Sequence, residues 1–252
     1  MSRLALITGA TSGIGAATAR AFARAGIDLV LTGRRHDRLD ALVNELTSDP
    51  GVKARALAFD LRDAAALQAA VASDPAAFET CDILVNNAGL ARGVAPIHEA
   101  QPEDWDEMLD TNVRGLLRMT RAVLPHMVTR GDGVIVNLGS TAGRWVYPGG
   151  AVYCATKHAV RALSEGIRMD VHGSGVRVTN IEPGLVETEF SEVRFRGDKA
   201  QADKVYQGYR PLLADDLADT ILWCVDRPPH IDIQELVIYP TDQSAIRMVA
   251  KK

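Results

Sequence analysis

Short runs of apolar residues recur along this chain, and longer amphipathic stretches separate them. The apolar runs lie at 4–7, 27–31, 54–59, 83–85, 134–138, 176–181 and 236–239. The stretches with helical periodicity lie at 13–25, 36–47, 63–73, 104–129, 150–172 and 214–225. Nearly continuous apolar runs are typical of strands that are covered on both faces, as in parallel sheets. The alternation predicts an α/β fold, a doubly wound parallel sheet of about seven strands with helices on both faces.

The chain has 252 residues, a length that suits one large α/β domain better than two. No internal repeat, low-complexity tract or linker divides the sequence, so we predict a single domain over residues 1–252. The segment 187–210 is charged and lacks clean periodicity. We predict that this segment is a mobile lid with short helical pieces over the functional site.

Composition excludes several classes of partner. The formal net charge of −4 argues against a nucleic-acid partner, because such proteins usually carry a basic excess on one face. The three cysteines, Cys81, Cys154 and Cys224, form no CxxC pair, so we expect neither a metal site nor a disulfide framework. Free thiols fit a reducing cytoplasm. The first apolar run is too short for a signal-peptide core, and no run approaches the ~18 apolar residues that span a bilayer, so we expect a cytoplasmic protein with no membrane partner.

A glycine-rich turn, TGATSGIG at 8–15, follows the first apolar run directly. Glycine permits unusual backbone angles and lets a pyrophosphate approach the main chain closely. The helix that starts near Ile14 adds unpaired N–H groups and a partial positive charge. Such a turn can also be a plain strand–helix connection, but its place after the first strand favours a dinucleotide cradle and a Rossmann-type sheet. The predicted cradle consists of Gly9, Thr11, Ser12, Gly13, Ile14 and Gly15.

The end of the second apolar run indicates which dinucleotide binds. An NAD site usually carries Asp or Glu there to hold the ribose 2′-hydroxyl. This chain instead has Arg34 and Arg35, and arginine pairs with a 2′-phosphate through parallel hydrogen bonds. The sequence therefore predicts NADP. The alternative is that both arginines are solvated at a helix start, where cations are disfavoured without an anionic partner.

Polar and small residues lie at the carboxyl ends of the third and fourth apolar runs. Ligands of open parallel sheets bind outside the carboxyl ends of the strands. We expect Asp60 to accept a hydrogen bond from the adenine amino group. Asn86 has an alternative role as a buried amide that bonds neighbouring backbone, and both roles can hold at once. The predicted cofactor contacts at these two ends are Asp60, Leu61, Asn87, Ala88 and Gly89.

Tyr153 and Lys157 are four residues apart, which places them on one face of a helix. A nearby ammonium favours the phenolate form of a tyrosine, whose ordinary pKa is ~10. Tyr153 can then exchange a proton with an alcohol or carbonyl oxygen. Ser140, at the end of a predicted strand, can hydrogen-bond the same oxygen. The alternative is a surface tyrosine and a surface lysine that share this spacing by chance.

With these motifs, the chain resembles the short-chain dehydrogenases/reductases over essentially its full length. The matching motifs are TGATSGIG, NNAG at 86–89, TNVRG, NLGST, Tyr153-x-x-x-Lys157 and Pro183-Gly184. The resemblance implies that Asn112, Ser140, Tyr153 and Lys157 form a catalytic tetrad. It implies that Asn112 kinks its helix and anchors a water linked to Lys157, and that Lys157 bonds the nicotinamide ribose. The further cofactor contacts it implies are Tyr153, Pro183, Gly184, Val186 and Thr188, of which Thr188 contacts the carboxamide.

The resemblance also implies a homotetramer that is built partly on the helices at 104–129 and 150–172. The spacing Gly9-x-x-x-Gly13-x-Gly15 and the short C-terminal portion oppose a sugar-nucleotide epimerase. A non-catalytic protein that senses NADP is a second alternative, which the presence of both Tyr153 and Lys157 opposes.

A narrower resemblance concerns the substrate. The segments 139–160 and 177–198 are similar to those of NADP-dependent dehydrogenases that act on 3-hydroxy acids, serine and allo-threonine. A reductase of sulfoacetaldehyde or another small aldehyde is the alternative. A small anion needs a cation to orient it, and the candidates are Arg144, Arg194, Arg196, Arg210 and Arg247. We expect Arg144 or Arg194 to grip the anion, with Ser140 and Tyr153 at the reacting oxygen. Arg144 stands where the resemblance leads us to expect a small or neutral residue.

Overall fold

The computed structural model describes residues 2–48 and 51–251. Its strands are β1 Leu4–Thr8, β2 Asp28–Gly33, β3 Ala54–Ala58, β4 Ile83–Asn86, β5 Gly133–Leu138, β6 Val176–Pro183, β7 Val186–Glu187, β8 Leu212–Leu213, β9 Glu235–Ile238, β10 Gln243–Ala245 and β11 Met248–Val249. Its helices are α1 Gly13–Arg24, α2 His36–Leu46, α3 Ala64–Ser73, α4 Pro75–Glu79, α5 Pro102–Leu109, α6 Leu116–Arg130, α7 Ala151–Asp170, α8 Phe190–Arg194, α9 Lys199–Lys204 and α10 Ala214–Val225.

Seven of these strands pair in parallel, in the order β3-β2-β1-β4-β5-β6-β9. Helices cover both faces, which confirms the predicted doubly wound α/β fold. Strands β2 and β3 lie on one side of β1, and strand β4 lies on its other side, so the direction in which strands are added reverses at β1. This reversal opens a crevice beyond the carboxyl ends of β1 and β4, where doubly wound sheets bind their ligands.

Two apolar layers hold the helices against the sheet. On one face, Phe22 of α1 and Ile221 of α10 pack against strand residues such as Leu31. On the other face, Phe78 and Met119 pack against strand residues of β1, β4 and β5. All six residues of β5 are buried, so this strand has no face in water. The apolar runs of the sequence therefore correspond to strands buried from both sides.

A chain of buried polar side chains crosses the second layer. The Asn86 amide donates to Thr120 Oγ1 at 3.0 Å and to Asn137 Oδ1 at 2.9 Å, and the Asn137 amide donates to Ser164 Oγ at 2.9 Å. Buried amides need such partners because an unpaired polar group costs free energy. Asn86 is thus a buried structural link between β4, β5 and α6, although its amide bonds side chains and not the neighbouring backbone that its alternative interpretation proposed.

The helix predicted at 104–129 is interrupted. Between α5 and α6 the residues Asp110–Gly115 form a π-helical turn, a distortion that often accompanies functional sites. A side chain at Gly115 would meet Leu61, since a Cβ there would lie 2.8 Å from the Leu61 Cγ atom. Asn112 lies in this turn, and the kink that the resemblance implied there stays a prediction.

The predicted lid contains short helices, α8 and α9, as expected. The two-residue strands β7 and β8 pair at its base, and the hairpin β10–β11 follows β9. The sequence did not indicate these short strands. The mobility of the lid stays a prediction. Within the part of the chain that the structure describes, no helix is long and apolar enough to cross a bilayer.

Candidate active site

A cavity of about 550 Å³ opens at the carboxyl edge of the sheet. The glycine turn, the ends of β2, β3 and β4, the turn after β5, the start of α7 and the lid all contribute to its wall. Most of the predicted site residues line it. The exceptions are Gly15, Asn112 and Arg144.

The glycine turn is crowded against the end of β4. Gly9 has a φ of +66° and Gly13 has a φ of +53°, the left-handed region that favours glycine. A Cβ on Gly9 would lie 2.9 Å from the Ala88 Cα atom, and one on Gly15 would lie 2.5 Å from the Asn87 amide nitrogen. Gly15 therefore serves the packing of the turn and does not face the cavity.

Hydrogen bonds also fix the residues after β4 against the glycine turn. The Asn87 amide donates to the carbonyl oxygens of Thr8 and Gly9 at 2.9 and 3.1 Å. The Ala88 N–H donates to Thr8 Oγ1 at 3.0 Å. These bonds join the ends of β1 and β4, so the predicted contacts Asn87, Ala88 and Gly89 lie beside the glycine turn.

The first turn of α1 opens toward the cavity. Ser12 occupies the N-cap position in an extended conformation, and among the described residues no side chain caps this turn. No acidic residue stands in the first turn, so the partial positive charge of the helix is not neutralised. This geometry suits a pyrophosphate, which would accept hydrogen bonds from the open N–H groups.

Two arginines at the end of β2 face the same space. Arg35 donates to Thr11 Oγ1 at 2.7 Å and Ser12 Oγ at 2.8 Å, and it pairs with Glu189 of the lid at 2.9 Å. Arg34 is half exposed, with Nη1 4.0 Å from the nearest Asp60 oxygen. Arg35 thus ties the glycine turn to the lid, while Arg34 is more loosely held. Both present positive charge where an NAD site would carry an acid.

Asp60 has a partner that the sequence analysis missed. Its carboxylate accepts hydrogen bonds from Arg62 Nη2 at 2.6 Å and from the Arg62 backbone N–H at 3.0 Å. Burial alone would raise the pKa of Asp60, but Arg62 lowers it below its ordinary value overall. The spacing of two residues is a local signal that could have indicated this pair. The adenine contact of Asp60 stays a prediction.

Three of the side chains predicted to be catalytic, Ser140, Tyr153 and Lys157, line the cavity. Tyr153 and Lys157 lie buried on one face of α7. The Lys157 ammonium donates to the Leu138 carbonyl at 2.7 Å and lies 6.0 Å from the centroid of the Tyr153 ring. Ser140 opens a one-turn 3₁₀ helix, Thr141–Gly143, and its Oγ accepts from the Ala142 N–H at 3.1 Å. This bond leaves the hydroxyl proton of Ser140 available to donate to Tyr153 or to a substrate oxygen.

The pKa values of this pair respond chiefly to burial. Burial raises the pKa of Tyr153 well above its ordinary value, and Tyr147 adds to the effect, while the Ser140 hydroxyl and the Arg194 guanidinium oppose it. Burial lowers the pKa of Lys157 to about 8. In the protein by itself, burial thus opposes the phenolate that a nearby ammonium favours. Tyr153 is a protonated phenol at neutral pH, which is the form that donates a proton.

Asn112 lies behind the catalytic face. Its amide donates to the Leu90 carbonyl at 2.8 Å and to Thr156 Oγ1 at 3.0 Å, and its oxygen accepts from the Leu90 N–H at 2.9 Å. A Cβ on Gly89 would lie 3.3 Å from the Asn112 oxygen and 3.5 Å from the Lys157 nitrogen, so the two side chains share one small space. The water that the resemblance implies between them stays a prediction.

Arg144 does not reach the cavity, and the expectation that it grips the substrate is wrong. Its guanidinium donates to Glu182 and Glu235, both on strands of the sheet. Glu182 is fully buried, and a buried carboxylate holds its counter-charge firmly. No local pattern in the sequence indicates these long-range partners.

Arg194 does lie in the cavity. Its guanidinium carbon is 5.7 Å from the Tyr153 ring centroid and 5.5 Å from that of Tyr147. It donates to the Tyr147 hydroxyl at 2.6 Å and to the Gly93 carbonyl at 3.1 Å. No carboxylate of the described residues pairs with it, so its charge is available to an anion next to the catalytic phenol.

Two further residues lie in the wall: Phe190, for which no role was predicted, and Arg247, one of the five candidate cations. Phe190 of the lid lies with its ring 5.6 Å from that of Tyr153 and shields the phenol. Arg247, of the loop between β10 and β11, stands 5.3 Å from the Tyr147 ring and adds a second cation near the mouth. Phe190 carries no sequence signal beyond its place in the lid, whereas Arg247 was one of several candidate cations.

Among the described residues there is no cluster of three or more His, Cys, Asp or Glu side chains that could hold a metal ion. All three cysteines are free and buried.

Comparison with known proteins agrees with this geometry. Residues 3–199 match the model of the short chain dehydrogenase family. The chain is 49% identical over 242 residues to the NADP-dependent 3-hydroxy acid dehydrogenase YdfG of Escherichia coli strain K12, covering 96% of each chain. It is 48% identical to serine 3-dehydrogenase of Agrobacterium fabrum, covering 97% of this chain and 96% of that protein.

Solved structures are similar over the same length. The closed form of serine dehydrogenase complexed with NADP⁺ superimposes with a TM-score of 0.90 at 49% identity, covering 96% of each chain. Serine dehydrogenase from Escherichia coli gives a TM-score of 0.81 at 44% identity, covering 96% of this chain and 99% of that one.

The burial of Lys157 predicts a pH dependence of stability. Its pKa in the folded protein, about 8, lies below the ordinary value of 10.5, so unfolding takes up a proton between these values. The free energy of unfolding of the wild type, relative to Lys157→Met, should therefore rise with pH across this window. Each unit of pKa difference contributes about 1.4 kcal/mol. Urea unfolding of both proteins at a series of pH values measures the difference.

Lys53→Met is the matched control because it removes an exposed ammonium. The wild type should show no comparable gain over this variant. A flat difference between wild type and Lys157→Met would contradict the account of Lys157 as a buried ammonium.

Proposed function

Since the chain belongs to the short-chain dehydrogenase family, we propose that it is an NADP-dependent oxidoreductase of small anionic 3-hydroxy acids and their carbonyl forms. One observation carries the proposal. The buried pair Tyr153 and Lys157, with Ser140 beside it, opens into the same cavity as the glycine turn and the two arginines after β2. A proton donor and a dinucleotide cradle therefore share one space. The relatives named as NADP-dependent and serine dehydrogenases support this assignment.

The residues present fit NADP. The left-handed glycines and the uncapped first turn of α1 suit the pyrophosphate. Arg34 and Arg35 would hold the 2′-phosphate, and Thr188, which lies 3.3 Å from the Cβ position of Gly13, would stand beside the nicotinamide. Lys157 would bond the nicotinamide ribose. When bound, the cofactor supplies or accepts the hydride.

The protein's own groups handle the proton. In the reductive direction, Tyr153 donates its phenol proton to the carbonyl oxygen, which becomes the hydroxyl of the product. Ser140 donates a hydrogen bond to the same oxygen and holds it near the phenol. The Lys157 ammonium stabilises the phenolate that remains. In the oxidative direction the phenolate takes the alcohol proton back.

Arg194 supports the choice of an anionic substrate. A guanidinium without a carboxylate partner, 5.7 Å from the catalytic ring, suits an anion that lies a short carbon chain away from the reacting oxygen. Serine, allo-threonine, 3-hydroxypropionate and malonic semialdehyde have this form. A sulfonate presents oxygens of similar geometry, so a sulfoacetaldehyde reductase is the second candidate. Phe190 and the lid segment 187–210 would close over the bound substrate.

The assembly is proposed to be a homotetramer in the cytoplasm. Leu109, Leu117 and Val128 are exposed apolar side chains on α5 and α6, and Met169 is exposed near the end of α7. Exposed apolar groups on neighbouring helices are typical of surfaces between subunits. The buried free thiols suit a reducing compartment.

The cofactor assignment predicts the effect of two substitutions. Arg34→Met and Arg35→Met should each lower kcat/KM for NADPH by about tenfold to a hundredfold, since each removes charged hydrogen bonds to the 2′-phosphate. In Arg34→Met the kcat/KM for NADH should change by no more than about twofold, because NADH lacks that phosphate. Arg35→Met also breaks the bonds to Thr11, Ser12 and Glu189, so it should lower the kcat/KM for NADH as well, but by less than that for NADPH. Arg20→Met, which breaks an ion pair with Glu45, is the control. Faster wild-type turnover with NADH, or equal losses with both cofactors, would contradict the assignment.

Two absorbance assays test the substrate assignment. Oxidation of NADPH is followed with malonic semialdehyde, sulfoacetaldehyde and a neutral aldehyde of equal length. Reduction of NADP⁺ is followed with serine and 3-hydroxypropionate. The anionic substrates should have the higher kcat/KM. Arg194→Met should raise their KM at least about tenfold by removing a charged partner, and should leave the neutral aldehyde unaffected. Arg196→Met, a variant of an arginine paired with Asp104, should keep wild-type values. Preference of the wild type for the neutral aldehyde would overturn the proposal.

A further inference from the structure

A cluster of four charged side chains connects helix α7 with the turn that contains Ser140. They are Arg144, Arg161, Glu182 and Glu235. The Arg144 guanidinium donates through Nε to Glu182 and through Nη2 to Glu235. Arg161 donates to the other oxygen of Glu235 at 3.0 Å. Two guanidiniums balance two carboxylates, so this cluster carries no net charge.

Glu182 is the centre of the cluster. Its side chain is 0% exposed, and a carboxylate removed from water needs both a counter-charge and hydrogen bonds. The Asn180 amide donates to one oxygen at 2.8 Å, while Arg144 donates to the other. A Cβ on Gly139 would lie 3.0 Å from the Glu182 Cγ atom. The residue before Ser140 therefore packs directly on this carboxylate.

Each arginine stands four residues after a catalytic side chain. Arg144 follows Ser140 through the 3₁₀ turn, which the Gly143 N–H closes by donating to the Ser140 carbonyl at 2.7 Å. Arg161 follows Lys157 by one turn of α7. A Cβ on Gly143 would lie 2.7 Å from the Lys157 carbonyl oxygen, so the turn rests on the helix. The cluster thus holds together two elements that each carry a catalytic group.

We propose that Arg144 is a positioning residue, which fixes the Ser140 hydroxyl relative to Tyr153 by anchoring the serine turn to Glu182 and Glu235. The inference rests on the proposed oxidoreductase function. The anchor is rigid because the two carboxylates lie on the neighbouring strands β6 and β9, where Asn180 is in register with Glu235. Misplacement of a catalytic group by about 1 Å can cost about a hundredfold in rate.

The test compares three variants with the wild type: Arg144→Met, Arg144→Lys, and the double variant Arg144→Met/Glu182→Gln. The control is Arg55→Met, which breaks the part-buried ion pair of Arg55 with Asp74 at 2.5 Å, on another part of the sheet. For each protein the measurements are kcat and KM with the best substrate of the wild type, the Kd of NADPH, and the Tm.

Arg144→Met should lower kcat by about tenfold to a hundredfold, with the Kd of NADPH within about twofold. It should also lower the Tm, because buried Glu182 then keeps only the more distant Arg161, at 3.9 Å, as a counter-charge. Arg144→Lys should recover part of kcat. The double variant should regain Tm, since it removes the poorly compensated charge, while its kcat stays low. Arg55→Met should lose Tm without loss of kcat.

Recovery of kcat together with Tm in the double variant would overturn the inference and show a purely structural role, as would an unchanged kcat in Arg144→Met. If Arg144→Met does not fold, the comparison of the double variant with the wild type decides alone. Absence of any wild-type turnover would instead refute the proposed function, so the two failures are distinguishable.

Discussion

The chemistry of this protein depends on the burial of a phenol and an ammonium next to each other. In water the two groups would be a weak acid and a permanent cation. Inside the protein, burial raises the pKa of Tyr153 and lowers that of Lys157. Desolvation disfavours the charged form of each group, so Tyr153 rests as the neutral phenol, which is the form that donates a proton. The Lys157 ammonium beside it favours the phenolate that forms when the proton leaves.

The fold supplies the position of this pair. The strand order reverses beside β1, which opens the crevice in which the glycine turn and the end of β4 meet. Helix α7 begins at the same edge and brings Tyr153 and Lys157 into the wall of the cavity. Ser140 follows β5, the neighbour of β4 in the sheet. Three elements that are distant in sequence thus place their functional groups at one end of one sheet, and packing on both faces keeps them there.

Local patterns were sufficient for the scaffold and for the cofactor side of the site. Apolar runs identify buried strands because those strands have no face in water, and the glycine spacing identifies a turn that only glycine can fill. Very short elements such as β7 and β8 were missed, since two residues show no periodicity. Arg144 was misassigned for a different reason. Its partners Glu182 and Glu235 are remote in sequence, and only the sheet brings them to it. The effect of burial on the pKa of Tyr153 was not predicted either, because the neighbour Lys157 is visible in the sequence whereas the degree of burial is not.

The most direct test of the account is the turnover of Tyr153→Phe, which removes one hydroxyl and keeps the ring that packs against Phe190. The account predicts that kcat falls by about a hundredfold to ten-thousandfold, and that the Kd of NADPH, read from its fluorescence, changes by no more than about threefold, since the glycine turn and the arginines are intact. A kcat within a few-fold of wild type would show that another group moves the proton, and the central claim would be wrong.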